Sequence, residues 1–229
     1  MLFLPARPYT EAVPHLVLNG DLIASRAYGA GAAARLLADV VHEANGRFAG
    51  ALAAPLRVVQ GDAFQGVVRA GSVLRVAFFV QARLVVRSDG RLKSRFGMGF
   101  GAIDQGLDAA SDPALLTGPA FVSATAALEA ARKEKRQLML QGPDPGLTAA
   151  ANGAFGLVEF VWNRWSPEVW RRAQRYDELE AVKPLAAELG VSYQAVHKQL
   201  HQRGVLAVRE ALVGLGELLE RKGNRDHVP

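Results

Sequence analysis

The stretch V-V-Q-G-D-A-F-Q-G-V-V, Val58 to Val68, decides the fold. Two apolar, β-rich runs flank Gly61-Asp62. Gly-Asp tips suit tight turns because both residues tolerate unusual backbone angles. The spacing predicts a hairpin with strands over 56–60 and 64–68. An earlier stretch, L-V-L-N-G-D-L-I-A-S-R (Leu16 to Arg26), has a related form. There a buried strand over 15–19 ends at Gly20-Asp21. Working outward, Leu36, Leu37, Val40, Val41, Ala44 and Phe48 recur at helical spacing, which predicts a helix over 29–51. A second helix is expected over 71–87. A glycine-containing strand follows over 93–103, then a helix over 118–134 with Pro119 in its first turn, then a short strand over 137–141. The order is β-α-β-β-α-β-α-β. Its first six elements match the ferredoxin-like unit, an antiparallel sheet with helices on one face. The expected class is α+β.

G-P-D-P-G, Gly142 to Gly146, breaks this pattern and marks a domain boundary. Residues 1–145 form the sheet module. Residues 146–229 read as wholly helical. Ser166 is an N-cap with Pro167 at the first helical position. Trp162, Trp165 and Trp170 are expected in the core of the junction. K-P-L-A-A-E-L-G-V-S-Y-Q-A-V-H-K-Q-L, Lys183 to Leu200, has helix-turn-helix spacing. Ala186 is small enough for two helices to approach. Gly190 makes a left-handed turn, and Ser192 caps the second helix. Leu185, Leu189, Val196 and Leu200 form the buried seam. The exposed face then carries Tyr193, Gln194, His197, Lys198 and His201, residue types that read grooves or bind phosphates. A helical hairpin that binds a protein is the alternative. Arg171, Arg172 and Arg175 are either further phosphate contacts or a solvated face.

Composition narrows the classes. The chain has 229 residues, half of them hydrophobic, so a sizeable core is available. It has no cysteine, which excludes disulfides, thiolate zinc sites and cysteine nucleophiles. No apolar run is long enough to span a bilayer, and the opening M-L-F-L-P-A-R-P-Y-T lacks the pattern of a signal peptide. The expectation is a cytoplasmic protein with no membrane partner. The net charge of +5 is compatible with nucleic acid or nucleotides.

Asp21 and Asp62 are the candidate metal ligands. Two carboxylates at the ends of adjacent strands can share Mg2+ or Mn2+ with phosphate oxygens. Turn residues without a ligand are the alternative reading. Leu22, Ser25, Arg26, Gly61 and Gln65 surround this pair in sequence and are the candidate nucleotide contacts. Asp104 reads as a strand-end turn residue. Lys133 and Lys135 stand at a helix C-terminus, where basic residues are favoured in any case. His15, His42 and His227 lack metal spacing. His197 and His201 are four apart and could take zinc, but face solvent or DNA in the reading adopted.

G-D-L-I-A-S-R, G-D-A-F-Q-G, the glycine-rich strand R-F-G-M-G-F-G-A-I, G-P-A-F before a helix, and a terminal helix-turn-helix together resemble the SatD family of bacterial proteins. That family usually has Glu where this chain has Ala63. The same motif order is similar to the catalytic domain of class III nucleotidyl cyclases and, more distantly, to diguanylate cyclases. That resemblance implies metal binding by Asp21 and Asp62. It also places the cyclases' transition-state Asn and Arg near Val122 and Ala126, where this chain has neither. Losing such a donor costs about 100-fold or more in rate, so no cyclic nucleotide product is expected. The resulting expectation is a regulator, expected to be a homodimer, that senses a nucleotide with Mg2+ or Mn2+ and binds DNA. Two alternatives are a metal-dependent nucleotidyl or phosphoryl transferase and a ligand-free adaptor for another protein.

Overall fold

The computed structural model describes residues 15–104 and 112–225. The opening residues 1–14 and His227 lie outside the described residues. Central strand β1 (His15–Ile23) alternates between two faces. Leu16, Leu18 and Leu22 enter one core, and Val17 enters another. A short turn of helix, α1 (Ser25–Tyr28), leads into α2 (Ala30–Arg47), whose buried stripe is Ala33, Leu36, Leu37, Val40, Val41 and Ala44. The hairpin follows as β2 (Leu52–Gln60) and β3 (Ala63–Arg69), then α3 (Val73–Arg87) and β4 (Lys93–Gly99). Helix α4 (Pro119–Lys133) and strand β5 (Leu138–Gln141) complete the sheet, in the order β2-β3-β1-β4-β5.

The first four strands are antiparallel neighbours in the ferredoxin-like order. Two expectations need correction. β5 pairs parallel to β4, so the five-stranded sheet is mixed. A parallel neighbour needs a crossover, and α4 supplies it on the face opposite α2 and α3. Ala120, Phe121 and Ala124 of α4 pack there on Val17, Ala54 and Val67. The first strand is also longer than expected. β1 pairs with β3 through Asp21 and with β4 through Ile23, so Asp21 lies inside the strand and not after it. Asn, Gly and Asp are poor strand formers, which makes the local signal stop early. Pairing on both sides carries the strand through them.

α4 can cross the sheet closely because β4 presents glycines beneath it. A Cβ on Gly97 would lie 2.4 Å from the Ala124 carbonyl oxygen and 2.4 Å from the Leu128 nitrogen. One on Gly99 would lie 2.1 Å from the Ala120 carbonyl oxygen. The glycine-rich strand is therefore a seat for a helix. Helix side chains also complete the backbone hydrogen bonds of both outer strands. The Asn45 amide of α2 pairs with both backbone groups of Leu56. On β5, Asn152 does the same for Leu140, and Glu159 accepts from the N–H groups of Gln137 and Leu138. An outer strand left with open hydrogen-bonding groups invites pairing with another chain.

Asn152 and Glu159 belong to α5 (Pro145–Trp162), capped by Asp144, which accepts from the Leu147 N–H. α6 (Pro167–Leu179) starts at the expected Ser166 cap. Then come α7 (Val182–Leu189), α8 (Tyr193–Gln202) and α9 (Val205–Arg225). Eleven of the 15 residues of α3 are buried, and a helix apolar on all sides must be covered on all sides. The sheet covers one side, while α6 and α9 cover the other. Trp162, Trp165 and Trp170 meet Phe78 of α3 there as an aromatic cluster, with Trp165 and Trp170 4.9 Å apart. The expected tryptophan core is present. One apolar cluster runs from β1 through α3 to α8 and α9. No helix among the described residues is long and apolar enough to cross a membrane.

Candidate functional site

Strand parity builds the site. Asn19 and Asp21 are two apart in β1, so both point to the α4 face. Arg95 of β4 is the register partner of Asp21, and Gln65 of β3 is the partner of Asn19. From above, α4 contributes Thr125 and Arg132, seven residues apart and hence on one stripe. Arg132 Nε donates to Asp21 Oδ2 at 3.1 Å, and Arg95 Nη1 lies 3.7 Å from the same oxygen. Asn19 donates to Thr125 Oγ1 at 3.4 Å. Asn19 and Asp21 are 9% and 8% exposed. Asn19 Oδ1, Asp21 Oδ1 and Arg95 Nε are nonetheless buried without hydrogen-bond partners among the described residues. Buried polar atoms are rarely left unpaired, because each costs about 1–3 kcal/mol. Three on one patch mark it out.

The hairpin tip joins the same end of the sheet. The Leu22 N–H donates to the Asp62 carbonyl at 2.9 Å. Ser25 Oγ donates to Asp62 Oδ2 at 2.7 Å. Ser25 is buried at the start of α1, just after Ala24 turns the chain with a φ of 66°. Asp62 itself is exposed, one residue before Ala63, the partner of Asp21. The two carboxylates thus have different company: guanidinium groups for Asp21, a hydroxyl for Asp62. Of the other candidates, Leu22 has its N–H engaged and its side chain in the core. Arg26 is exposed, Gly61 is exposed at the tip with a φ of 32°, and Gln65 is half-buried. Asp104 sits in the loop after β4, where its N–H donates to the Thr117 carbonyl.

Asn19, Arg95 and Arg132 are the residues that sequence reasoning missed. The two-residue spacing of Asn19 and Asp21 was a usable signal, as was the seven-residue spacing of Thr125 and Arg132. Val122 and Ala126 are both exposed on α4.

The cation implied by the resemblance can be tested against these atoms. Asp21 Oδ1 is a hard, anionic oxygen of the kind Mg2+ and Mn2+ accept. Among the described residues no three His, Cys, Asp or Glu side chains converge as metal ligands. The residues therefore fit an ion that brings water or phosphate oxygens of its own, as Mg2+ does, and not an all-protein cage.

A second surface lies on α7 and α8. Gly190 adopts the left-handed conformation with a φ of 65°, and Ser192 Oγ accepts from the Ala195 N–H at 3.2 Å. Leu185, Ala186, Val196 and Leu200 are buried as expected. Leu189 is not. It is 39% exposed, because α7 ends there and the turn aims it outward. Ser192, Tyr193, Gln194, Lys198 and His201 are exposed and His197 is half-buried. The Tyr193, His197 and His201 rings stack in a ladder along α8, 5.8 and 6.3 Å apart. The arginines of α6 are engaged within the chain. Arg171 and Arg172 pair with Glu168, and Arg175 pairs with Glu178 and Glu188.

No family model matches the chain. No curated protein matches it either. Among solved structures it is similar to a bacterial light-regulated adenylyl cyclase, at 12% identity over 56% of this chain and 43% of that one, with a TM-score of 0.42. It is also similar to Csm1 in a Csm1–Csm4 cassette in complex with cA3, at 14% identity over 87% of this chain and 36% of that one, with a TM-score of 0.38. Csm1 of T. onnurineus gives 13% identity over 88% and 37%, with a TM-score of 0.38. The chain spans less than half the length of each. At such scores the likeness bears no weight, and the reading of the site rests on the residues described above.

Proposed function

We propose that this protein is a cytoplasmic DNA-binding regulator of transcription whose sheet module binds a nucleotide together with Mg2+ or Mn2+. The observation that carries the reading is the Asp21 patch: a buried carboxylate with one oxygen unpartnered, set between the guanidinium groups of Arg95 and Arg132. Such a patch offers an oxygen to a cation and positive charge to a phosphate. Gln65 lies across β3 from Asn19 on the same face, and Asp62, Ser25, Arg26 and Gly61 at the hairpin end are the further nucleotide and metal contacts of this reading. The DNA half is supported by the left-handed turn at Gly190, the Ser192 cap and the exposed row on α8. In this reading Gln194, His197 and His201 meet base edges while Lys198, Tyr193 and Ser192 meet the backbone. A symmetric operator would be met by a homodimer.

A thermal-shift screen of nucleoside di- and triphosphates, with and without Mg2+, tests the first half. At a ligand concentration of 100 Kd, binding adds about 2.7 kcal/mol, or about 5–10 °C in a domain of this size. The expected result is a shift that needs Mg2+ and is lost in Asp21→Asn. No shift with any nucleotide removes the sheet-module reading. DNA binding is tested with a genomic fragment library at two salt concentrations, and salt-independent or absent binding removes the other half.

The second reading is metal-dependent nucleotidyl transfer. One observation favours it: Arg132 supplies on α4 a cation that the carried-over positions Val122 and Ala126 lack. Metal-dependent turnover of a nucleoside triphosphate that disappears in Asp62→Asn would establish it.

A further inference from the structure

We propose that Arg132 is a displaceable latch on Asp21, holding the carboxylate in the free protein and passing to the phosphates when a polyphosphate arrives with its divalent cation. The inference rests on the nucleotide–metal reading above and concerns how that site fills.

Three observations carry it. First, the two guanidinium groups both address Asp21 Oδ2, leaving Oδ1 buried and unpartnered. One oxygen is neutralised while the other is reserved. Second, the two members of the close pair differ in freedom. The Asp21 side chain is 12% exposed and fixed in the central strand, whereas the Arg132 side chain is 50% exposed in the last turn of α4. The carboxylate stays and the guanidinium can leave. Third, the charges oppose a bare cation. Arg95 and Arg132 together outweigh Asp21, so a bare cation finds a net positive cluster and must push a guanidinium aside. A metal–polyphosphate complex meets no such conflict. Its phosphates accept from Arg132 in the forked geometry that guanidinium groups favour, and the metal takes the reserved Oδ1 together with the Oδ2 that Arg132 vacates. Free metal is thereby held off until it arrives with an anion.

The latch predicts effects of opposite sign for two ligands at one residue. Mn2+ alone, followed by electron paramagnetic resonance, and inorganic triphosphate in the presence of Mn2+, followed by titration calorimetry, are the probes. In Arg132→Gln, Mn2+ alone should bind about fivefold tighter, the size expected for release of a half-exposed ion pair. Triphosphate with Mn2+ should bind at least about fivefold more weakly in the same variant. Arg132→Lys, which keeps the charge and loses the fork, should fall between wild type and Arg132→Gln for both ligands. A melting curve equal to that of wild type shows that Arg132→Gln is folded. Unchanged Mn2+ affinity, or a change of the same sign for both ligands, overturns the latch. If neither wild type nor variant binds Mn2+ or triphosphate, the nucleotide–metal reading itself fails and the latch falls with it.

Discussion

Replacing Gly97 with Ala tests the seat of α4, on which half the candidate site depends. The new Cβ would lie 2.4 Å from the Ala124 carbonyl oxygen, 2.4 Å from the Leu128 nitrogen and 2.7 Å from the Leu128 Cβ. Two of these are backbone atoms of α4, so no side chain can swing away to make room. Contacts of about 3.5 Å require the helix to rise by about 1 Å. Overpacking of a tight core costs about 1–3 kcal/mol. The upper end applies because the clash is with the backbone of a helix. A loss of about 3 kcal/mol corresponds to a fall of about 6–12 °C in a chain of this length. Thr125 and Arg132 ride on the same helix, so the contacts to Asn19 and Asp21 should loosen too. Gly153→Ala is the control. Gly153 lies on the exposed side of α5 with nothing within 4 Å of the new Cβ. Ala there should stabilise by about 0.4–1 kcal/mol through helix propensity and a less flexible unfolded chain. The assay is far-UV circular dichroism melting of both variants, with the Mg2+-dependent nucleotide shift measured alongside. A Gly97→Ala protein that melts within about 1 °C of wild type and keeps its nucleotide response would refute the argument that α4 is pressed onto β4.

Glu159→Ala should cost about 3–5 kcal/mol, since it strands Arg136 and the Gln137 and Leu138 N–H groups that Glu159 now satisfies; urea unfolding will show it, and a loss under about 1 kcal/mol would mean water replaces the carboxylate without penalty. Burial pushes the Asp177 carboxyl above its ordinary range, against the pull of Arg75, Arg209 and Arg47. Its contribution to stability is therefore full below the unfolded pKa of about 3.9 and is lost as pH rises through the raised folded value. Asp177→Asn should gain on wild type across that window, and parallel stability–pH curves would contradict this. Lys198→Ala should weaken DNA binding across all sequences and flatten the salt slope by about 0.9, whereas Gln194→Ala should change base preference more than affinity. An unchanged slope in Lys198→Ala would place that lysine off the phosphates.

Spacing and capping rules are local, and they made much of this chain legible. The Gly61-Asp62 hairpin, the α2 stripe, the Ser166 and Ser192 caps and the left-handed Gly190 all follow from residues within one or two turns of each other. Asp21 and Asp62 could be singled out because each follows a glycine at the end of an apolar run. The three tryptophans implied where a junction core would form. What covers α3, and from which side, came only with the packing of α6 and α9.

The site itself was decided by tertiary structure. Arg95 acquires its role because sheet register sets it opposite Asp21, a relation between residues 74 apart that no local rule contains. Arg132, and not Lys133 or Lys135, reaches the carboxylate because Gly97 and Gly99 let α4 settle at one height and one rotation over β4. Local sequence could propose a helix with basic residues at its end. Only the close approach of two backbones selected which of them faces the buried acid.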